Sequence, residues 1–492
     1  MNIKRAISRD FFSYAASFLM VQGINVLIAV FLRRVLGPAQ MGVWVVLQII
    51  LSYSKFTSFG IGRVITRDIP VYKGKGDLLY AAKLRNVSFS FTVFSSSAVA
   101  VVILITAFFL KGSVSSTVFY SSLTLALLSV LQRVINFSIG VLRAEKEFEF
   151  TAAYNLASTL VNALLTVLLV WYFRLGGYYV ALILSFIFNA FFIFARARVR
   201  FRFQWDRAEL GRILRDGLIF VLINFLASNL MEIDRISVSL FLGVTPLGIY
   251  SIVNMVNNII YAVPSIFNIV VWPYLNEAYG ADNSSENIRK YLTLPPRVLA
   301  LYVPILIGFL WMLAPYLIRT FLPQYVAGIL PMKIGMFTIL LELLLGLAGQ
   351  AIITYQKHWA LIPILLGTQL SILGLNFLAV QAGGGLVSIS LLTLAGTFIG
   401  YAFYSDLSLR NVIPSPWGRR KELLKISALL GYYMGSMLLI DRVTARMDMS
   451  LDLFLKPALF CIVAYPLFHY GESRFHLLKL VKLYLQNKAG KK

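Results

Sequence analysis

Ionisable side chains inside long apolar segments are the residues of this sequence most able to do chemistry. They are Lys55, Arg63, Arg133, Glu232, Asp234, Arg235 and Glu342. Inserting such a group into a bilayer costs about 2.5–3.5 kcal/mol, so it faces a water-filled cavity or a partner. Their positions predict a polar path for a charged molecule through an apolar protein.

The cations among these residues suit an anionic ligand. Arginine binds phosphate oxygens through paired donors, whereas lysine supplies a point charge. We therefore expect Arg133, Arg235 and Lys55 to contact a negatively charged group of a ligand.

The acids are candidates for ion coupling or gating. Asp234 has no partner at helical spacing within its own segment, so it either couples to an ion or bridges to a cation of another segment. Glu232 and Glu342 are further candidates. Glu232 lies three residues before Arg235, and an ion pair along one helix is the alternative for these two.

Polar residues, most of them uncharged, recur at steps of three and four in four apolar segments, which places them on one helical face. The stripes are Gln132, Arg133 and Asn136; Asn155, Thr159, Asn162 and Thr166; Asn224, Ser228, Glu232, Arg235 and Ser239; and Ser251, Asn254, Asn258, Tyr261, Ser265 and Asn268. Hydrogen bonds between helices are one explanation. Several stripes accompanied by cations favour a hydrated cavity, which Asn254 and Asn258 would line.

The elements that must position these residues are membrane-spanning helices. The chain has 492 residues, of which 59% are hydrophobic and 13% charged, against about 25% charged in soluble domains. A span needs about 20 apolar residues. Fourteen segments qualify: 11–33, 41–66, 86–110, 117–141, 151–173, 176–196, 213–241, 247–275, 296–318, 329–355, 358–380, 385–408, 423–440 and 452–470.

The distribution of basic residues predicts the orientation. With the N-terminus in the cytoplasm, 32 of the 45 Lys and Arg residues lie on the cytoplasmic side and nine on the outer side, as the positive-inside rule requires. We therefore expect a multi-pass protein of the cytoplasmic membrane with both termini in the cytoplasm. The net charge of +24 is then membrane-surface charge, and no nucleic-acid partner is expected.

A repeated motif predicts two related halves. Leu-Gly, three residues, an apolar residue, Gly, a β-branched residue and an aromatic occur at 36–44 and again at 242–250. Repeats of this kind are typical of transporters with alternating access. We predict an N-lobe at 1–196, a basic cytoplasmic linker at 197–212, a C-lobe at 213–408, and the last two spans with a basic tail at 409–492.

Several kinds of chemistry have no counterpart in the sequence. It contains no GxxxxGK[ST] loop for ATP and no HExxH motif. The three histidines are far apart, and the single cysteine, Cys461, has no partner for an intrachain disulfide. No nucleophile–base or paired-acid arrangement indicates catalysis. We expect neither an enzyme nor a metal site.

These motifs resemble those of a known family. Residues 34–38 with Gly42 are similar to the opening of the polysaccharide or O-antigen flippases (Wzx type) of the multidrug/oligosaccharidyl-lipid/polysaccharide (MOP) exporter superfamily. Asp234-Arg235, 241–243 and 247–250 resemble that family's seventh-span signature. The resemblance covers most of 1–408. One departure is Ser58-Phe59-Gly60, where the family often has Asp-x-Gly.

The resemblance implies two six-helix lobes related by a pseudo-twofold axis, with two helices added. It also implies flipping of a polyprenyl-pyrophosphate-linked oligosaccharide to the outer leaflet, in which Asn254 and Asn258 would contact sugars and the three cations the pyrophosphate. We expect membrane potential, Na⁺ or H⁺ antiport, or both to drive it, with no other cofactor. Expected partners are this glycan, membrane lipids and polysaccharide-assembly proteins such as a polymerase. A multidrug antiporter of the same superfamily and, more remotely, a membrane polymerase or ligase are the alternatives.

Overall fold

The structure, a computed structural model, consists of long helices. It describes residues 3–59, 61–64, 68–112, 116–145, 147–196, 201–261, 285–354, 358–410, 412–445 and 449–475. These ranges contain no β-strand, and ten of their helices are long and apolar enough to cross a membrane. The predicted all-α multi-pass fold is confirmed.

The helices follow the predicted spans closely. The first two spans share Ile3–Ser54, the third is Leu78–Phe109, the fourth Ser116–Ala144, the fifth and sixth share Phe148–Arg196, and the seventh is Arg207–Phe241. The eighth is described over 244–261. The ninth to fourteenth are Ser285–Phe321, Ile329–Thr354, Leu361–Gln381, Leu386–Leu409, Pro416–Val443 and Met449–Phe475. Ser265 and Asn268 of the eighth-span stripe lie outside the described residues.

Two of the helices are broken inside, and the breaks separate consecutive spans. Ile3–Ser54 is interrupted at Gly37, which has a φ of 71°. Glycine adopts such a positive φ more easily than other residues do. Phe148–Arg196 is interrupted at Arg174, with φ 51°, although the nearby glycine pair would adopt such a φ more easily. Gly177 serves close packing instead, because a Cβ there would lie 2.0 Å from the Leu169 carbonyl oxygen.

Three helices begin earlier than hydropathy predicts, because polar caps extend them beyond the apolar segment. Asp77 accepts a hydrogen bond from the Tyr80 amide at the start of the third span. Asp206 and Ser415 cap the seventh and thirteenth spans in the same way. A side-chain oxygen at this position satisfies an amide that the helix leaves open.

The chain forms two compact units. Unit 1 comprises Met1–Glu232 and Val238–Ser251, and unit 2 comprises Ile233–Ser237 and Ile252–Lys492. Unit 1 contains a core of buried apolar residues centred on Leu84, Val141 and Ile213.

The extended segment 201–206 packs on this core of unit 1. Phe201 stacks on Phe89 with ring centroids 5.0 Å apart, and the Gln204 amide donates to Ser90 Oγ at 2.8 Å. The segment ends at Asp206, which caps the seventh span. Hydrogen bonding from the Glu209 amide and then from Lys83 holds the pKa of the Asp206 carboxyl below its usual value.

Unit 2 holds the last two spans against the ninth. Tyr433 of the thirteenth span is fully buried and donates to the Leu301 carbonyl oxygen at 2.9 Å. Gly308 admits the Phe460 ring of the fourteenth span, since a Cβ there would lie 2.0 Å from the ring. These close contacts make the two added helices part of the body of unit 2.

Candidate functional site: a polar cavity within unit 1

A cavity of about 430 Å³ lies inside unit 1. The first, fourth, fifth and sixth spans form it. Its size falls in the range of about 300–1,000 Å³ that small-molecule sites occupy. Its polar lining residues are Asn25, Gln132, Asn136, Arg143, Tyr154, Asn155, Ser158, Thr159, Asn162, Ser185 and Asn189.

The lining is unusual for the interior of a membrane protein because amides and hydroxyls dominate it. Arg143 is its one cationic residue, and no Asp or Glu is found among the described residues that line it. Amides and hydroxyls both donate and accept hydrogen bonds. The cavity is therefore suited to a neutral, hydroxyl-rich group.

The fifth span supplies the centre of this lining. Asn155, Thr159 and Asn162 face the cavity at the spacing that the stripe predicts. Asn162 Oδ1 accepts from Ser185 Oγ of the sixth span at 3.3 Å and from Thr166 Oγ1 at 3.4 Å. These contacts fix the orientation of the Asn162 amide.

Asn189 of the sixth span lines the cavity with an open acceptor. Its side chain is only 6% exposed, and its Oδ1 has no hydrogen-bond partner among the described residues. A buried acceptor left unsatisfied costs about 1–3 kcal/mol. A ligand that donates a hydrogen bond to Asn189 would remove this cost.

The structure brings two of the predicted stripes together. Gln132 and Asn136 of the fourth span share the cavity with the fifth-span residues. Sequence reasoning missed Asn25, Arg143, Ser158, Ser185 and Asn189. A signal for the last two exists, because they lie one helical turn apart in the sixth span, but two residues do not make a stripe.

Arg133 follows Gln132 in the fourth span but does not line the cavity. Its Nε is buried without a hydrogen-bond partner, and it forms no ion pair with any acidic side chain that the structure describes. Among the described residues, no acceptor therefore satisfies this buried donor.

Lys55 and Glu232 are brought together elsewhere in unit 1. The exposed Lys55 donates to Ser228 Oγ at 3.2 Å, and its ammonium lies 4.9 Å from the centroid of the Phe56 ring. The Glu232 carboxylate attracts it electrostatically. A neighbouring contact joins the same two spans, from the Tyr53 hydroxyl to Asn229 Oδ1.

Arg235 and Asn254 meet in unit 2. With the amide oxygen of Asn254 turned toward the guanidinium, Arg235 donates to it from Nη1 and Nε at 2.8 Å each. The Asp234 carboxylate accepts from the Arg235 amide at 2.7 Å. Asn258 is exposed one turn beyond Asn254, and Glu342 is half-buried in the tenth span.

Ten helices that are long and apolar enough to cross a membrane, two of them broken inside, indicate a multi-pass membrane protein with an internal polar cavity. The chain belongs to the family described as polysaccharide biosynthesis protein, whose model matches residues 31–327, more than half of its length. The family resemblance drawn from the motifs is thereby confirmed.

Solved structures show the same fold at low sequence identity. An inward-facing multidrug resistance MATE family transporter of the MOP superfamily is 15% identical, with a TM-score of 0.64 over 85% of this chain and 98% of that one. A mutant of the Vibrio cholerae MATE transporter VcmN is 14% identical, with a TM-score of 0.61 over 86% and 97%.

A third similar structure is a MOP superfamily transporter from Pyrococcus furiosus, whose description assigns it a binding pocket of reverse polarity. It is 16% identical, with a TM-score of 0.55 over 86% of this chain and 95% of that one. Among curated proteins, no sequence match is found.

Proposed function

We propose that the protein flips a polyprenyl-pyrophosphate-linked oligosaccharide from the cytoplasmic to the outer leaflet of the cytoplasmic membrane. The observation that carries the proposal is the amide- and hydroxyl-lined cavity of unit 1. A sugar chain carries many hydroxyls, and each needs a replacement for its bonds to water while it crosses an apolar layer. The polyprenyl tail can stay in lipid meanwhile.

The headgroup needs positive charge as well as polar contacts. Arg133, whose Nε donor is unsatisfied among the described residues, is our first candidate to bind the pyrophosphate, and Lys55 and Arg235 are the others. Paired donors from arginine suit phosphate oxygens. Asn254 is already oriented by Arg235, and we assign it and Asn258 to contacts with sugars.

The acids would couple transport to an ion gradient. Glu232 interacts with Lys55, so protonation or Na⁺ binding at Glu232 would change the charge that a headgroup meets there. The other coupling candidates are Asp234, which lies next to Arg235, and Glu342 of the tenth span. With the termini in the cytoplasm, each negative charge that moves outward also gains about 2.3 kcal/mol per 100 mV.

The cavity argues against a multidrug antiporter that exports cations. Such a ligand needs carboxylates, and the described lining supplies an arginine and neutral groups instead. We also propose that the protein is not an enzyme and delivers its cargo to a separate polymerase.

Export of surface glycan in a deletion strain that carries plasmid variants tests this function. Arg133→Ala should reduce export at least tenfold, whereas Arg442→Ala, which removes an exposed arginine at the end of the thirteenth span, should not. Lipid-linked glycan should accumulate in the inner leaflet of the deletion strain. Normal export there, combined with new sensitivity to cationic drugs, would contradict the proposal.

A further inference from the structure

The two copies of the repeated motif pack directly against each other. Gly42, the seventh residue of the first copy, lies against Val244, the third residue of the second copy. Gly248, the seventh residue of the second copy, lies against Pro38, the third residue of the first. The contact is therefore reciprocal, as in an isologous interface between identical subunits.

The contact depends on glycine because backbone meets backbone. A Cβ on Gly42 would lie 1.9 Å from the Val244 carbonyl oxygen, and a Cβ on Gly248 would lie 1.8 Å from the Pro38 carbonyl oxygen. The second residue of each copy, Gly37 or Gly243, has a positive φ, 71° and 97° respectively. The two copies of the motif thus approach each other through equivalent turns, one at Gly37 and one at Gly243.

Side chains surround this contact with hydrogen bonds. Arg33 is 5% exposed and donates to Ser251 Oγ at 3.1 Å and to the Ser251 carbonyl oxygen at 2.8 Å. It also donates to the Ala29 carbonyl oxygen at 2.9 Å. Arg174, at the break between the fifth and sixth spans, donates to the Val35 carbonyl oxygen at 2.5 Å.

We propose that this reciprocal contact closes the outer end of the transport pathway, with Gly42 and Gly248 as the positioning residues that set how tightly it closes. The inference rests on the proposed function and on the orientation that places both copies at the outer face. Because a backbone carbonyl oxygen of each copy meets a glycine of the other, the closed arrangement has no room for a Cβ at either glycine. Added bulk should therefore shift the population toward the open arrangement.

A buried reporter cysteine makes the closure measurable. Val45 directly follows the first copy of the motif, as Ser251 follows the second, and it is only 1% exposed. Val45→Cys in a Cys461→Ser background therefore places a buried thiol beside the contact. A membrane-impermeant maleimide added outside intact cells should label it slowly. Gly42→Ala or Gly248→Ala should raise the labelling rate about tenfold.

Two controls test whether backbone contact at Gly42 causes the expected rise in the labelling rate. Gly23→Ala, in the helix that contains Gly42 but with open space around it, should leave the rate unchanged. Val244→Gly should not rescue Gly42→Ala, because the clash is with the Val244 backbone. If neither alanine variant reaches the membrane, Ser251→Ala still tests the contact, since it removes a hydroxyl from Arg33 and should raise the rate about fivefold.

A second reporter separates gating from general loosening. Asn155→Cys in the cavity should be labelled more slowly from the cytoplasmic side when the outer end opens. Outer labelling that stays unchanged in intact alanine variants, or labelling that rises from both sides, would overturn the proposal. Labelling needs no glycan, so this result is independent of whether the protein flips a lipid-linked sugar.

Discussion

Asn189 of unit 1 and Asn376 of unit 2 lie in different surroundings. In unit 1, Asn162 and Asn189 face an open cavity, and Asn189 Oδ1 is unsatisfied. In unit 2, Asn376 is fully buried, and its amide nitrogen donates to Ser237 Oγ at 3.0 Å and to Thr393 Oγ1 at 3.3 Å. The Oδ1 of Asn376 has no partner among the described residues either. The two asparagines therefore differ in that Asn376 links helices through its amide nitrogen, whereas Asn189 faces a cavity.

Asp441 of unit 2 and Arg133 of unit 1 differ in their ion pairs. Asp441 of unit 2 accepts from Trp311 Nε1 at 2.8 Å, pairs with Lys333 and lies 3.4 Å from Lys456. This cluster ties the ninth, tenth, thirteenth and fourteenth spans together. Arg133 of unit 1 has no such ion pair among the described residues. Polar groups that contact several spans hold helices together, whereas groups that face a cavity can serve a ligand.

Removing Asp441 should have the largest effect on stability. Lys333 is only 13% exposed, and Asp441→Ala removes the carboxylate that pairs with it. Breaking a buried charge pair from one side costs about 3 kcal/mol. Thermal unfolding of the purified protein should show a large fall in Tm.

An exposed ion pair provides the matched comparison. Arg410, 60% exposed, pairs with Asp406, and Arg410→Ala should cost less than about 1 kcal/mol. Equal falls in Tm for the two variants would mean that the Asp441 cluster is no stronger than a surface pair.

Matched alanine substitutions at the two asparagines should give opposite results. Asn376→Ala removes two hydrogen bonds in a buried position and should cost about 2 kcal/mol of stability. Asn189→Ala removes an unsatisfied acceptor, so its free energy of unfolding should change little. Glycan export per folded molecule should instead fall about fivefold, the value of one hydrogen bond.

This pair of variants can refute the contrast between the units. If Asn189→Ala destabilises the protein as much as Asn376→Ala and leaves export per molecule unchanged, the cavity of unit 1 is packing and not a binding site. Melting curves of the purified variants measure stability, and glycan blots of the cells that express them measure export.

The sequence predicts this fold well because each span is a local property of about 20 apolar residues. It predicts the fifth-span face of the cavity for a similar reason, since Asn155, Thr159 and Asn162 share a helical period. Asn25 and Arg143 could not be found in this way, because they reach the cavity only through packing between spans. The reciprocal contact of Gly42 and Gly248 was visible as a repeat, but its meaning required coordinates.

The smallest expected effect concerns Asp206, where unit 1 begins its seventh span. Its lowered pKa means that the ionised carboxylate stabilises the fold above the ordinary value of about 3.9, and that this contribution is lost as the pH falls through the folded pKa. Asp206→Asn keeps an N-cap acceptor but not the charge, so the fall in Tm between pH 7 and about pH 3 should be smaller than in the parent. Lys83→Ala should reduce this fall only in part, because the Glu209 amide is the larger cause of the shift. An identical pH dependence in the parent and in Asp206→Asn would show that the charge of the cap contributes no stability at the start of the seventh span.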